Sequence, residues 1–397
     1  MNPDPYTHYA RMRATTPVSF NPALQMWEVY RYADIQSVLA DPATFSSDLS
    51  AYQTMATMDP PRHTQLRKLV ARAFTSKLMA SLEPSIQAIT DALLDRVEHT
   101  GRMDAIADLA FALPVTVIAE LLGLPASDRE RFKQWSVPAI RVAEAELHGQ
   151  PPEPEWLAAV DELMAYLGAL AEQRRSAPRE DLISGLVHAE IDGARLTAEE
   201  ITSTCRLLLI AGFETTANLI GNTLQLLLAH PAALERVRSD PEQLAGAIDE
   251  SLRFHAPFQF FARKATRDVT IGGQAIAAGQ VVLIFNASGN RDESVFDKAD
   301  EFDIGRSPNR HLSFGHGIHY CLGAGLGRME ARIGIGTLLR RFPALHVDAA
   351  QPAERLQSIV LYGWRSLPLS TGDRSPAEPP NAAPSAGRSD KRCPVTG

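Results

Sequence analysis

One stretch constrains the fold more than any other. Apolar residues recur with helical period from 196 to 229, about 33 residues in all. At 1.5 Å per residue such a helix spans roughly 50 Å, enough to cross a whole molecule of this size. Thr197 followed by Glu199 and Glu200 marks its start, and His230-Pro231 its stop. Further helix-period stretches run through 62–74, 78–98, 103–123, 126–146 and 153–174, and helix returns at about 322–342. Strand-like composition is confined to 17–20 and 26–30, around a turn at Asn21-Pro22, and to period-two alternation around Gly272-Gly273 and Gly279. The expected fold is mainly α with a small β lobe, drawn from about 15–35 and 262–287, packed as one unit over residues 1–371. Residues 372–397 are rich in Pro, Ser, Ala and Gly and read as a disordered tail.

A formal net charge of -8 gives a nucleic-acid partner no overall electrostatic support. Three cysteines, Cys205, Cys321 and Cys393, make no disulfide framework, and a reducing cytoplasm is the simplest compartment. The N-terminus has no basic region followed by an apolar core, so it does not read as a signal peptide. The aliphatic run Leu207 to Phe213 is broken by Gly212 and falls far short of the ~20 residues a membrane span needs. The expectation is a soluble monomer with no membrane attachment.

The chemistry centres on Phe314-Gly-His-Gly-Ile-His-Tyr-Cys321-Leu-Gly323. Taken singly, Cys321 reads as an inert buried thiol. A zinc site using His316, His319 and Cys321 would want a fourth ligand that is not evident. The glycines before the cysteine permit tight turns and close approach to a flat ligand. A helix starting just after it would stabilise a thiolate through free backbone N–H groups. The full string is similar to the haem-ligand signature of the cytochrome P-450 family. That resemblance implies the family's fold, haem b as cofactor, Cys321 as the iron ligand, Phe314 shielding the sulfur, His319 bonding a propionate, and Gly323 part of the cofactor loop.

Three distant motifs follow in the family's order. Ala211-Gly-Phe-Glu214-Thr215-Thr places an acid and two hydroxyls mid-way along the longest helix, poor choices for a buried helix centre. It resembles the oxygen-binding motif, which implies that Glu214 and Thr215 deliver protons and that Ala211 shares their haem-facing side. Gly212 is expected to permit a local widening, since a Thr side chain otherwise bonds back to the carbonyl one turn earlier. Glu250-Ser-Leu-Arg253 could be a solvated surface pair, but its position resembles the family's buried structural pair. The family's usual basic third partner is replaced by Glu301, and Arg306 is a candidate. Asp59-Pro-Pro-Arg-His63-Thr-Gln-Leu-Arg67, with Pro-Pro opening a helix, resembles a propionate-binding segment, as does Phe258-Gln-Phe-Phe-Ala-Arg263. The resemblance thus supplies four propionate donors: His63, Arg67, Arg263 and His319.

The expected activity is a monooxygenase acting on a mostly apolar small molecule with dioxygen. The chain carries no flavin, nicotinamide or iron–sulfur segment, so electrons are expected from a separate ferredoxin or flavodoxin and its reductase. Arg62, Lys68, Arg72, Arg328 and Arg332 would guide such a partner. Phe258 and Phe260 would project to one side if extended, and with Ala211, Thr215 and Leu49 to Met58 are the substrate-contact candidates. A peroxygenase, a non-oxidative haem-thiolate isomerase or dehydratase, and a haem sensor are the alternatives. The first and last would need no acid–threonine pair.

Overall fold

A computed structural model describes residues 4–49, 54–147, 150–191 and 193–372. The expected tail beyond Gly372 therefore lies outside the described residues, as do positions 50–53 of the Leu49 to Met58 segment.

The long helix is Ala198–Ala229, continuous over 32 residues. Its start is a capping box: the Thr197 hydroxyl accepts from the Glu200 N–H, and the Glu200 carboxylate accepts from the Thr197 N–H. Helices Ala112–Leu122, Pro154–Ser176, Gln243–Phe254 and Ala324–Arg341 pack directly on it. They enclose one large core that includes Ile118, Leu163, Leu209, Phe213, Leu224 and Leu338. Burial at this density supplies the main driving force for the fold, about 25 cal/mol per Å² of apolar surface.

The β lobe forms as expected. Strands Val18–Asn21 and Met26–Val29 make an antiparallel hairpin, and Val281–Ile284 joins it in parallel. Phe261–Ala265 and the two-residue strand Phe45–Ser46 complete a five-stranded sheet. Not anticipated was a second sheet of Arg102–Asp104, Pro368–Ser370 and His346–Val347. Its strands are two or three residues long and far apart in sequence, too short to show a period. Residues 103–123, read as one helix, divide into the strand end, a π-helical turn Ala105–Ala110 and the α-helix Ala112–Leu122. By length and composition Ala105–Leu122 is apolar enough to cross a bilayer, yet 67% of it is buried inside the molecule, as in a core helix.

The connection from 285 to 323 is tied to the helical body by one buried ionic node. Glu250 and Arg253 are both 0% exposed and form a bidentate pair at 2.7 and 2.8 Å. The remaining Arg253 donors reach the carbonyls of Asn290, Ala299 and Glu301. Glu250 also accepts from Arg306 Nε, the Asn309 amide and the Asp303 N–H. Arg306 is thus the third charged partner, while the Glu301 side chain faces Lys298 at the surface.

Breaking a buried pair leaves an uncompensated charge, costing about 3–5 kcal/mol. Glu250→Gln should therefore lower the urea unfolding midpoint sharply. Lys298→Ala, which removes the exposed pair with Glu301, should shift stability by less than about 1 kcal/mol.

Candidate active site around Cys321

The Cys321 loop is shaped by backbone that only glycine adopts freely. Gly315 and Gly317 have φ of 74° and 71°. A Cβ on Gly317 would come within 2.6 Å of the Leu39 carbonyl oxygen, where the Tyr32–Ala40 helix ends. The Cys321 N–H donates to the Phe314 carbonyl at 2.8 Å, closing the loop on itself. The next helix starts at Ala324, with Gly323 as its cap.

Cys321 is exposed, yet its sulfur sits among enough protein that burial raises its pKa above the ordinary thiol value. The Gly323 and Ala324 N–H groups and the Arg67 and Arg328 guanidiniums oppose that rise without overcoming it. The helix-start donors thus act in the expected direction, but burial outweighs them. Metal coordination deprotonates a thiol outright. Phe314 lies half-buried beside the loop, with the Arg328 guanidinium 4.5 Å from its ring centre.

The four expected propionate donors converge. His63 and His319 rings sit 4.1 Å apart. Arg67 donates to the Tyr320 carbonyl, joining the Arg62–Ala73 helix to the cysteine loop. Arg263 Nη1 donates to its neighbour's carbonyl, Ala262, at 2.8 Å. Burial lowers the pKa of His63, helped by Arg67 and Arg263. Burial, then His63, Arg263 and Arg67, push His319 down to about 3. Both imidazoles are therefore neutral near pH 7, and the fixed positive charge is that of the arginines. Two neighbours escaped sequence reasoning. Asp59 opposes the shifts of both histidines, and Ser47 meets His319 Nε2 at 3.0 Å. Asp59 stood inside a quoted motif; no periodicity or spacing marks Ser47.

On the long helix, Ala211 is exposed, and Glu214 and Thr215 are half-buried. The Thr215 hydroxyl donates to the Ala211 carbonyl at 2.7 Å. The helix stays α-helical throughout, so the expected widening at Gly212 is absent. Gly212 instead permits close packing: a Cβ there would lie 3.1 Å from Ile118 Cδ1. The phenylalanines part company. Phe258 stacks on Phe261, and Phe260 meets Phe285. Regular strand begins only at Phe261, and the two rings meet different partners. Phe258 instead bridges to Leu361, bringing the 358–362 turn to this region. Of the basic residues expected to guide a partner, Arg62, Arg328 and Arg332 pair with Glu200, Asp249 and Glu83. Arg72 donates to the Glu190 carbonyl. Lys68 is exposed.

The Cytochrome P450 family profile matches residues 150–362. A putative cytochrome P450, YjiB of Bacillus subtilis, is 42% identical over 372 residues, covering 91% of this chain and 93% of that protein. The chain belongs to the cytochrome P450 family. Cyclomarin C epoxidase CymV of Salinispora arenicola is 40% identical over 371 residues, covering 90% and 94%. The crystal structure of CYP109E1 from Bacillus megaterium with testosterone aligns at TM-score 0.87 and 38% identity, covering 93% of this chain and 99% of that one. The fold is the P450 fold, and the chain is a haem b-dependent oxidoreductase of the monooxygenase class.

The residues present fit that cofactor. His63 is 1% exposed, and neither ring nitrogen has a partner among the described residues. A buried, unmet imidazole beside two arginines calls for an acceptor such as a carboxylate.

Gly317→Ala should impair haem incorporation, read as bound haem per protein, because the backbone conformation and the Leu39 carbonyl both oppose a Cβ. Gly273→Ala, where φ is 81° but nothing lies within 4 Å, should cost only about 1–2 kcal/mol of stability and leave haem content unchanged.

Proposed function

We propose that this P450 inserts one atom of dioxygen into a mostly apolar small organic molecule, by hydroxylation or epoxidation, with the second atom leaving as water. Two electrons come from a separate ferredoxin or flavodoxin and its reductase. The observation that carries the reading is the Glu214–Thr215 pair beside exposed Ala211 on the long helix. Haem ligated by a cysteine thiolate supplies the dioxygen chemistry, the thiolate favouring O–O cleavage.

The chain's own part divides by position. Cys321 ligates the iron, Phe314 covers the sulfur, and Gly323 lets the loop lie close to the cofactor. His63, Arg67, Arg263 and His319 hold the propionates by charge-assisted bonds. Glu250 and Arg253, with Arg306, hold the loop. Thr215 passes protons and Glu214 resupplies them. Because the Thr215 hydroxyl bonds the Ala211 carbonyl, delivery requires that proton to be redirected, by rotation about the Cβ–Oγ bond or of χ1 into the alternative threonine rotamer. Ala211 and, one turn earlier, Leu207 and Leu208 give this side of the helix an apolar surface, and Phe258 adds an aromatic ring. An epoxidase among the relatives and a steroid bound to a structural neighbour agree with an apolar substrate. The reading takes residues 1–371 as one catalytic domain of a cytoplasmic monomer. The internal pairing of its arginines leaves steering of the donor to a weaker field than the count of cations suggests.

Turnover under labelled dioxygen, with donor proteins and reduced nicotinamide, should place one labelled atom in the product. Turnover without donor or dioxygen would overturn the reading. Thr215→Ala should raise peroxide released per electron consumed, and coupling equal to wild type would remove Thr215 from proton delivery.

A further inference from the structure

Ser47 lies just past the edge strand Phe45–Ser46, 4% exposed, where the sheet meets the cysteine loop. Its backbone is fixed from outside the strand. The Ser47 N–H donates to Asp59 Oδ1 at 2.8 Å, and the Ser46 hydroxyl donates to Asp59 Oδ2. Asp59 directly precedes the Pro-Pro that opens the Arg62–Ala73 helix, so the serine is anchored to the element carrying His63 and Arg67. Ser46 also pairs with Lys264 in the strand carrying Arg263. The Ser47 hydroxyl meets His319 Nε2 at 3.0 Å, and the His63 ring stands 4.1 Å from the His319 ring.

An imidazole has two nitrogens, and occupying one decides what the other can do. With Nε2 held by Ser47, only Nδ1 of His319 is left for a second partner. The ring is also confined by His63, so its plane is set by a hydroxyl and by ring packing. We infer that Ser47, anchored by Asp59, is a positioning residue that orients His319 and reserves Nδ1 for the cofactor carboxylate. This rests on the reading that His319 bonds a haem propionate. A histidine left to choose its own orientation would divide itself between rotamers, and the propionate bond would exist for only part of the time. Outer partners of this kind fix the ring that touches the cofactor.

The test uses the holoenzyme and a double-mutant cycle. Haem release into excess apomyoglobin is timed for wild type, Ser47→Ala, His319→Phe and the double variant. Midpoint potentials are recorded alongside. Ser47→Ala should release haem about fivefold faster, equivalent to one hydrogen bond of about 1 kcal/mol, and should do so only where His319 is present. Asp59→Asn, which weakens the anchor but keeps the hydroxyl, should show the same dependence on His319. An unchanged rate in Ser47→Ala overturns the inference. So does equal acceleration in both His319 backgrounds, the behaviour of a merely structural serine. The underlying reading fails separately: haem release from His319→Phe at the wild-type rate defeats the propionate assignment, whatever Ser47 does.

Discussion

The site depends on a buried ion pair. Glu250 and Arg253 are fully removed from water, where unpaired charge would cost several kcal/mol each. The pair persists because every charge-bearing atom is met: Arg253 by its carboxylate and by carbonyls of the following loop, Glu250 by two guanidiniums, an amide and a backbone N–H. Those loop partners could otherwise be arranged in many ways. From the node, Asn290 carries order onward. Its carbonyl accepts from Arg253, its side-chain oxygen accepts from the Leu312 N–H, and its amide donates to Ser313. Ser313 in turn donates to the Leu252 carbonyl on the helix bearing the pair. The chain reaches Phe314, whose carbonyl receives the Cys321 N–H. An ionic node some 70 residues away in sequence thus positions a sulfur.

A second tie runs through Arg328, which pairs with Asp249 at 2.7 Å and lies over Phe314. It joins the helix leaving the cysteine to the helix carrying Glu250. The third runs through Arg67 to the Tyr320 carbonyl. Together these ties explain why a loop with two positive-φ glycines holds one shape: its two ends are fixed to the Gln243–Phe254 helix and its middle to the Arg62–Ala73 helix. The donor cluster beside it follows another rule. With neutral histidines, the two arginines outweigh the nearby Asp59 and leave a net positive cluster that cofactor carboxylates would offset.

How far the sequence speaks depends on whether a feature is local. The long helix, its capping residues and the sheet hairpin are written in consecutive residues, and all formed where their patterns stood. The glycines around Cys321 were legible because backbone geometry restricts residue choice directly. Ser47 was not, since its role comes from a contact 272 residues away and nothing in its neighbours requires a hydroxyl. The second sheet was hidden for the same reason: Met103 pairs with Leu369 across about two thirds of the chain. Arg306 was named only as a candidate because its partner Glu250 lies in a different element, and only folding decides which nearby cation reaches it. For surface cations, sequence counts charges but not the acids beside them: Arg62, Arg328 and Arg332 each proved to have one.

The long helix shows how one residue can be placed correctly for a mistaken reason. Gly212 was expected to open the helix so that Thr215 could avoid bonding back to Ala211. The helix instead stays closed, the back-bond is present, and the glycine serves a contact with Ile118 on its other side. The hydroxyl is therefore not released by backbone geometry. Its freedom lies in its own side chain, where threonine divides between rotamers that either bond the preceding turn or do not. A back-bond of ordinary length contributes about 1 kcal/mol, a small barrier to redirecting the hydroxyl. If Thr215 delivers protons as proposed, coupling would then depend on where the occupied pocket lets that hydroxyl point.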